Sequence, residues 1–297
     1  MKEEFRDLMT DNKDIADLLL LGIPFDKNAS VGIGASKAPD TLRKLSYFLP
    51  AATKDGIDIS SFKIYDEGNV TYSNESCEEY FSLVKEKAAS MLNTNKFVWF
   101  VGGDHSVAIP TEQAFYDYAK KMNKTPYIIH IDAHPDICDV YEDSKFSHAC
   151  PNRRALDYGY KDENIIMIGI RGYEIQEIEF FKKHPNIKVY TASYINENGI
   201  DNMLHEITNK IDDNSLVYLS YDIDANDPSF APGTGTPEAF GLNSLTLLKI
   251  LTYLIKKLPI QAMDLVEISP LLDINDITSW LGLKTMYEIF ALKKEVK

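Results

Sequence analysis

Asp132, His134 and Asp136 stand at alternate positions in "YIIHIDAHPD", where an apolar run ends. Such runs ordinarily end in turns built from Gly, Asn or Ser. In extended chain, residues i, i+2 and i+4 point to one side, so this spacing turns three potential ligands toward one point. "SYDIDAND" repeats the device with Asp222 and Asp224, and "VGGDHSV" adds His105 after another apolar run. Pooled, the set holds four carboxylates and two imidazoles without sulfur. It is too large for one tetrahedral zinc and too hard for copper. Two divalent ions of the Mn²⁺ type, about 3.5 to 4 Å apart and bridged by carboxylate, fit better; they would lower the pKa of a shared water toward neutrality. The chemistry this predicts is hydrolysis at an electrophilic carbon or phosphorus.

Taken singly, these residues have plainer readings. A lone Asp at a strand end normally caps a helix or forms a turn. Asp227, followed by Pro228, keeps that reading as a shaper of the "DPSFAPGTGTP" loop. His130, inside the apolar run, is read as a core residue or a support behind the ligands, pointing away from their face. Gly102 and Gly103 are read as a tight turn near the site, since no GxGxxG or GK[ST] follows them.

Convergence of the ligands needs strand ends that share one edge. Apolar segments rich in Val, Ile and Tyr alternate with stretches of helical period, the pattern of a parallel sheet with crossover helices. The pattern predicts eight strands, near 16–23, 62–66, 96–102, 126–132, 164–170, 187–190, 215–222 and 261–267. Helices are predicted near 38–48, 77–93, 106–122, 173–184, 199–211, 243–257 and 276–292. Leu247, Leu251, Leu254 and Leu258 recur at helical steps, for example, and Pro259 stops that helix. No linker, low-complexity tract or internal repeat divides the chain. The expectation is one α/β domain over residues 1–297, a three-layer αβα sandwich around a central, mostly parallel eight-stranded sheet. Each strand of such a fold delivers its following loop to the same edge, where distant segments meet.

With 297 residues and 44% hydrophobic content the chain can fill a sizeable core. Its 31 Lys and Arg against 45 Asp and Glu leave a formal charge of −14, which argues against nucleic acid and anionic membrane surfaces and suits a small cationic substrate. The first thirty residues carry charge where a signal peptide needs an apolar core, and no run approaches the ~20 apolar residues of a membrane helix. Cys77, Cys138 and Cys150 are too few and too irregular for a disulfide framework. A cytoplasmic protein with reduced thiols is expected. Cys138 and Cys150 flank His148 and are read as buried bystanders, with thiol control of activity as the alternative.

Four segments, "GGDHSV", "DAHPD", "SYDIDANDPSFAPGTGTP" and "VEISP", resemble in order the signatures of the ureohydrolase family, the arginases, agmatinases and related manganese amidinohydrolases. The N-terminal "GIPFDKNASVGIGASKAPDTLR" resembles the agmatinase-like branch. The resemblance implies one manganese on His105, Asp132, Asp136 and Asp222, and another on His134, Asp132, Asp222 and Asp224, with Asp132 and Asp222 bridging. It implies that Asp136 also orients a metal-bridging hydroxide and that His148 of "SHACP" shuttles a proton to the leaving amine. It makes Glu267 the guanidinium-binding carboxylate, with Thr236 adding a hydroxyl contact. Hydroxide attack on the guanidinium carbon would give a tetrahedral intermediate that collapses to urea and a primary amine. Trimers or hexamers are implied as well. Charge agrees independently: two divalent ions offset the four aspartates, so Glu267 and a hydroxide leave a pocket that prefers a cation.

Arginases resemble this chain less in the loop after DxHxD, where they hold the substrate carboxylate with Asn and Ser. Here "ICDVYEDSKFSHACP" offers Asp139, Glu142 and Asp143 and no Asn, which points to a decarboxylated substrate, agmatine, cleaved to putrescine and urea. Guanidinobutyrate, guanidinopropionate, arginine and guanidino-polyamines are the alternatives. Glu174 and the acids of 139–143 are candidates for meeting the distal amine, and Phe240, where many relatives carry Gly, predicts a narrower or refolded loop beside the pocket. Two other classes compete. A two-metal phosphoesterase would need an Arg or Lys clamp that the motifs lack. A metal-binding scaffold without turnover would not need His148 and Glu267 beside every expected ligand.

Overall fold

The structure, a computed structural model, describes residues 4–295; residues 1–3 and 296–297 of the expected domain span lie outside the described residues. The strands are β1 (Leu18–Gly22), β2 (Ile64–Asn69), β3 (Phe97–Val101), β4 (Thr125–Ile131), β5 (Ile165–Ile170), β6 (Lys188–Thr191), β7 (Ser215–Asp222) and β8 (Ile260–Val266). They form one sheet in the order β2-β1-β3-β8-β7-β4-β5-β6. The expected mostly parallel sheet is parallel at every pairing.

Alternation along the strands splits the core into two layers. Leu18, Leu20, Trp99, Val101, Ile129 and Leu219 pack on one face against Leu42 of α1 (Ala38–Ser46), Leu251 of α8 (Ser244–Lys257) and Phe290 of α9 (Ile277–Glu295). Leu19, Leu21, Val98, Phe100, Ile128 and Tyr218 pack on the other against Val84 of α2 (Cys77–Leu92) and Phe115 of α3 (Ala108–Lys121). Each fully buried aliphatic or aromatic side chain is worth roughly 1.5–3 kcal/mol. Both faces of a parallel sheet must be covered, hence the sandwich.

Helix starts follow their caps: Ser76 and Glu79 form a reciprocal capping box at α2, and Asn243 accepts from the Thr246 amide at α8. Besides α5 (Ile175–Lys183) and α7 (Asp201–Lys210), two helices occur that the periodicity does not announce. One is α4 (Pro151–Tyr158), opened by Pro151 at its first position and closed by Gly159 at φ +135°. The other is α6 (Ala192–Asn198), capped by Thr191. Both are too short for an apolar stripe to repeat. No helix among the described residues is long and apolar enough to cross a membrane.

The four strands that carry the polar clusters, β3, β8, β7 and β4, are consecutive neighbours in the sheet although scattered in sequence. Their C-terminal ends therefore face one crevice, the usual binding position in open parallel sheets.

Candidate metal centre

At the end of β3, Gly103 allows a close approach: a Cβ there would stand 1.7 Å from the Phe25 carbonyl oxygen, which accepts from the Asp104 amide at 2.8 Å. The turn delivers His105, 1% exposed, on a single 3-10 turn (His105–Val107). Beyond β4 the strand alternation does not persist as expected. β4 ends at Ile131, Asp132 to His134 bend, and Asp136 takes φ +50°. Its placement is built by neighbours: Asn152 at the start of α4 binds the Pro135 carbonyl through Nδ2 (2.8 Å) and the Asp136 carbonyl through its amide (3.0 Å), and Glu177 of α5 accepts from the Ile137 amide at 2.9 Å.

The six expected ligands come together. His105 Nδ1 lies 2.9 Å from Asp132 Oδ2, 2.9 Å from Asp136 Oδ2 and 3.2 Å from Asp222 Oδ2. His134 Nδ1 lies 3.2 Å from Asp224 Oδ2 and 3.5 Å from Asp132 Oδ1. Asp132 belongs to both groups of possible ligands, and the Asp224 amide donates to Asp222 Oδ1 at 2.8 Å.

The donor atoms suit a pair of hard divalent cations. His105 Nδ1 and Asp132 Oδ2 are buried without hydrogen-bond partners, although native interiors seldom tolerate that. A lone-pair nitrogen facing three carboxylate oxygens is repulsive, and a cation among them satisfies all at once. Burial pushes the carboxyls of Asp222 and Asp224 up, helped by the charge of Asp224 and then Asp132 on the first and of Asp132 on the second. Burial disfavours charge on His105 and His134 too, but the surrounding carboxylates outweigh it and hold both imidazoles well above their usual range. The cluster is short of positive charge.

His130 corrects one expectation. It shares even parity with Asp132 and so faces the ligands: its Nε2 is 3.1 Å from Asp132 Oδ2 and 2.9 Å from the His134 carbonyl oxygen, and its ring stacks on His105 at 5.0 Å. Its donor atoms fall within reach of the His105 group. Asp227 shapes its loop, with Oδ1 accepting from the Ser229 amide (3.0 Å) and Oδ2 from the Gly241 amide (2.9 Å).

A cavity of about 200 Å³ opens beside the cluster, lined by His134, Asp136, Asp222, Thr236, His148 and Glu267 of the expected site. Glu267, at φ +61°, accepts the His105 amide on Oε1 at 2.8 Å, and the same oxygen meets His148 Nδ1 at 3.1 Å. Ser30 supplies the other side of the imidazole, its amide 3.2 Å and its hydroxyl 2.9 Å from Nε2. Burial disfavours the imidazolium, but the Glu267 hydrogen bond and charge outweigh it and raise His148 to about 9. The Thr236 hydroxyl is 3.4 Å from Asp224 Oδ2.

The cavity also takes in Glu174, Glu177 and Glu238, with Tyr141 and Tyr173, and neither Lys nor Arg among the described residues lines it. Burial pushes Glu177 to about 7. The acids of 139–143 do not line the cavity: Asp139 pairs with Arg154 at 2.7 Å, while Glu142 and Asp143 turn the chain at positive φ. Phe240 does not narrow the pocket either. It is 85% exposed at φ +64°, a conformation that Gly adopts freely and Phe rarely. Cys138 and Cys150 are buried, and burial pushes both thiols up, Cys150 to about 12.

Sequence reasoning misses Ser30, Glu177, Glu238 and Arg171. Arg171, immediately after β5, donates to six backbone carbonyls, those of Gly169, Asp224, Ala225, Asn226, Glu238 and Ala239. A cation directly following the apolar run "IIMIGI" is the signal that was present.

Compared with known families, residues 16–291 match the arginase family. The chain belongs to that family. It is a metal-dependent hydrolase of the ureohydrolase kind. Among relatives in the family, the chain is 33% identical to an agmatinase of Neisseria meningitidis serogroup C over 285 residues (94% of this chain, 87% of the relative). It is 29% identical to a guanidinobutyrase of Pseudomonas aeruginosa over 284 residues, with the same coverage of 94% and 87%. The crystal structure of agmatine ureohydrolase of Thermoplasma volcanium superposes with TM-score 0.87 at 30% identity, over 99% of this chain and 94% of that one.

Proposed function

We propose that this arginase-family enzyme is a dimanganese agmatinase that hydrolyses agmatine to putrescine and urea. The observation that carries the choice of substrate is the cavity lining: Glu267 at the metal side and Glu174, Glu177 and Glu238 elsewhere, with no Lys or Arg among the described residues. A guanidinium with a distal ammonium is attracted throughout. Arginine, guanidinobutyrate and guanidinopropionate would each bring a carboxylate among these acids. The agmatinase relatives support the reading, and the guanidinobutyrase relative names the alternative.

In this reading His105, Asp132, Asp136 and Asp222 would hold one Mn²⁺, and His134, Asp132, Asp222 and Asp224 would hold the other. When bound, two such ions would supply Lewis acidity, lowering the pKa of a water and offsetting negative charge near the guanidinium carbon. Glu267 accepts guanidinium N–H groups and fixes the carbon in line; Thr236 adds a hydroxyl contact. His148 gives its proton to the departing amine. Ser30 serves both protonation states of that ring: its amide donates to neutral Nε2, and its hydroxyl can turn to accept from Nε2–H. A two-metal phosphoesterase is disfavoured because a phosphate dianion would find no clamp in this lining. The proposal extends to one catalytic domain over residues 1–297 working in the cytoplasm as a trimer or hexamer.

The test is urea release by Mn²⁺-loaded protein from agmatine, arginine, guanidinobutyrate and guanidinopropionate. Agmatine is expected to be preferred, and Glu238→Gln to raise its KM with little change in kcat. Preference for guanidinobutyrate would overturn the substrate, and urea from none of the four would overturn the function.

A further inference from the structure

Asn28 of "PFDKNAS" has no task in the reaction proposed above, yet it touches three segments distant in sequence. Its amide donates to Asp104 Oδ2 at 2.9 Å, in the turn after β3. Its Nδ2 donates to Ser106 Oγ and to Cys77 Sγ, both at 3.2 Å, Cys77 being the first residue of α2. Its carbonyl accepts from the His148 amide, also at 3.2 Å. Asp26 closes the loop around it, with Oδ2 accepting from the Gly34 and Ser36 amides at 3.1 Å each.

Hydrogen directions leave the Asn28 side chain one orientation. Asp104, with 0% exposure, accepts on Oδ1 from the Ser106 amide at 3.0 Å and from the Ser106 hydroxyl. That hydroxyl proton is committed, so Ser106 Oγ meets Asn28 as an acceptor, which selects Nδ2 over Oδ1. The same turn reaches His148 by a second route. The His105 amide donates to Glu267 Oε1 at 2.8 Å, and that oxygen lies 3.1 Å from His148 Nδ1. Two adjacent residues of one turn therefore hold the main chain of His148 through Asn28 and its ring through Glu267. Ser30, two residues beyond Asn28 on the same loop, meets the ring at Nε2. A ring gripped at both nitrogens by separate segments keeps its place only if those segments keep theirs.

We infer that Asn28 is a positioning residue that locks the main chain of His148, and the Ser30 that faces its ring, to the turn carrying His105. This role rests on the proton transfer proposed above for His148. The imidazole then stands at a fixed place beside the candidate ligands, where a displacement of 1 Å would cost about 10²-fold in rate.

The experiment compares the full chain with Asn28→Ala, His148→Gln and the double variant. It reads urea release from agmatine with Mn²⁺ added, and hydrogen exchange at residue 148 in metal-free protein. Asn28→Ala keeps the backbone donor and acceptor and loses only the Nδ2 anchors. Its kcat is expected to fall about 10-fold with KM and Mn²⁺ affinity unchanged, and its His148 amide to exchange faster than in wild type. In the His148→Gln background the same substitution is expected to cost no further kcat, since residues that act through one another are not additive. A full additional loss in that background would overturn the inference, because Asn28 would then act by another route. So would wild-type kcat and exchange in Asn28→Ala, or an equal loss in Lys27→Ala, which alters only an exposed neighbour on the loop. A wild-type protein that releases urea from no guanidine would instead overturn the proposed reaction, and this role with it.

Discussion

In the proposed reaction, His148 is the residue on which turnover would depend most directly without metal ligation. It is held between Glu267 and Ser30, buried and raised to about 9. His148→Gln should retain Mn²⁺ and lose about 10²-fold or more in kcat, the usual worth of a general acid, as checked by urea release at saturating agmatine. The same shift makes a stability statement. A folded pKa raised from 6.5 to about 9 contributes stability that is fully present below about 6.5 and lost as pH rises through about 9. In metal-free protein, the Tm difference between wild type and His148→Gln should therefore shrink across that window. A difference that stays constant would show that the Glu267 pairing does not set the titration.

Among the elements, the loops rather than the strands hold the difficult geometry. Asp136 and Glu267 sit at φ +50° and +61°, conformations that cost non-glycine residues roughly 1–3 kcal/mol each. Asn152 and Glu177 hold the first, while the Glu267 amide is tied to the Gly103 carbonyl at 2.9 Å. Arg171 does the corresponding work for the β7 loop, joining the Asp224 carbonyl at 2.8 Å to that of Glu238 at 2.7 Å. Arg171→Met would leave these acceptors without their donor. It is expected to destabilise the protein by about 2–4 kcal/mol in denaturant melts and to weaken Mn²⁺ binding through Asp224. Arg171→Lys should restore little, because an ammonium lacks the planar fork that reaches carbonyls on two loops.

For the whole molecule, the metal centre is also a stability element. Four buried or nearly buried aspartates face one another at the edge of the sheet, and Asp222 and Asp224 resist ionisation there. Ions that bind only the folded chain should stabilise it by about 2.7 kcal/mol each when free metal is a hundredfold above Kd. Chelation is thus expected to lower Tm by several degrees and re-addition of Mn²⁺ to restore it, followed by calorimetry. An unchanged Tm would mean that the carboxylates are satisfied without metal. The net charge of −14 would suit the proposed cationic substrate at this scale too, since the surrounding field would favour its approach.

The alternation of apolar strands with helical stretches, the eight strands themselves and the polar residues at their ends follow from local periodicity, which the chain carries residue by residue. DxHxD, DxD and the His after GGD marked the six candidate ligands for the same reason. Periodicity does not say which strands lie side by side, and only the sheet order made β3, β8, β7 and β4 neighbours. Tertiary structure also decided what lies far apart in sequence. Ser30 meets His148 across 118 residues, Asp264 reaches His105 through Ser220, and Arg171 gathers carbonyls more than fifty residues away. The short helix α4, polar and without a repeating stripe, left no periodic trace, yet its Asn152 sets the angle of Asp136. Ligand types are local chemistry, legible in the sequence; their orientation and proton positions depend on partners that only folding brings within hydrogen-bonding distance.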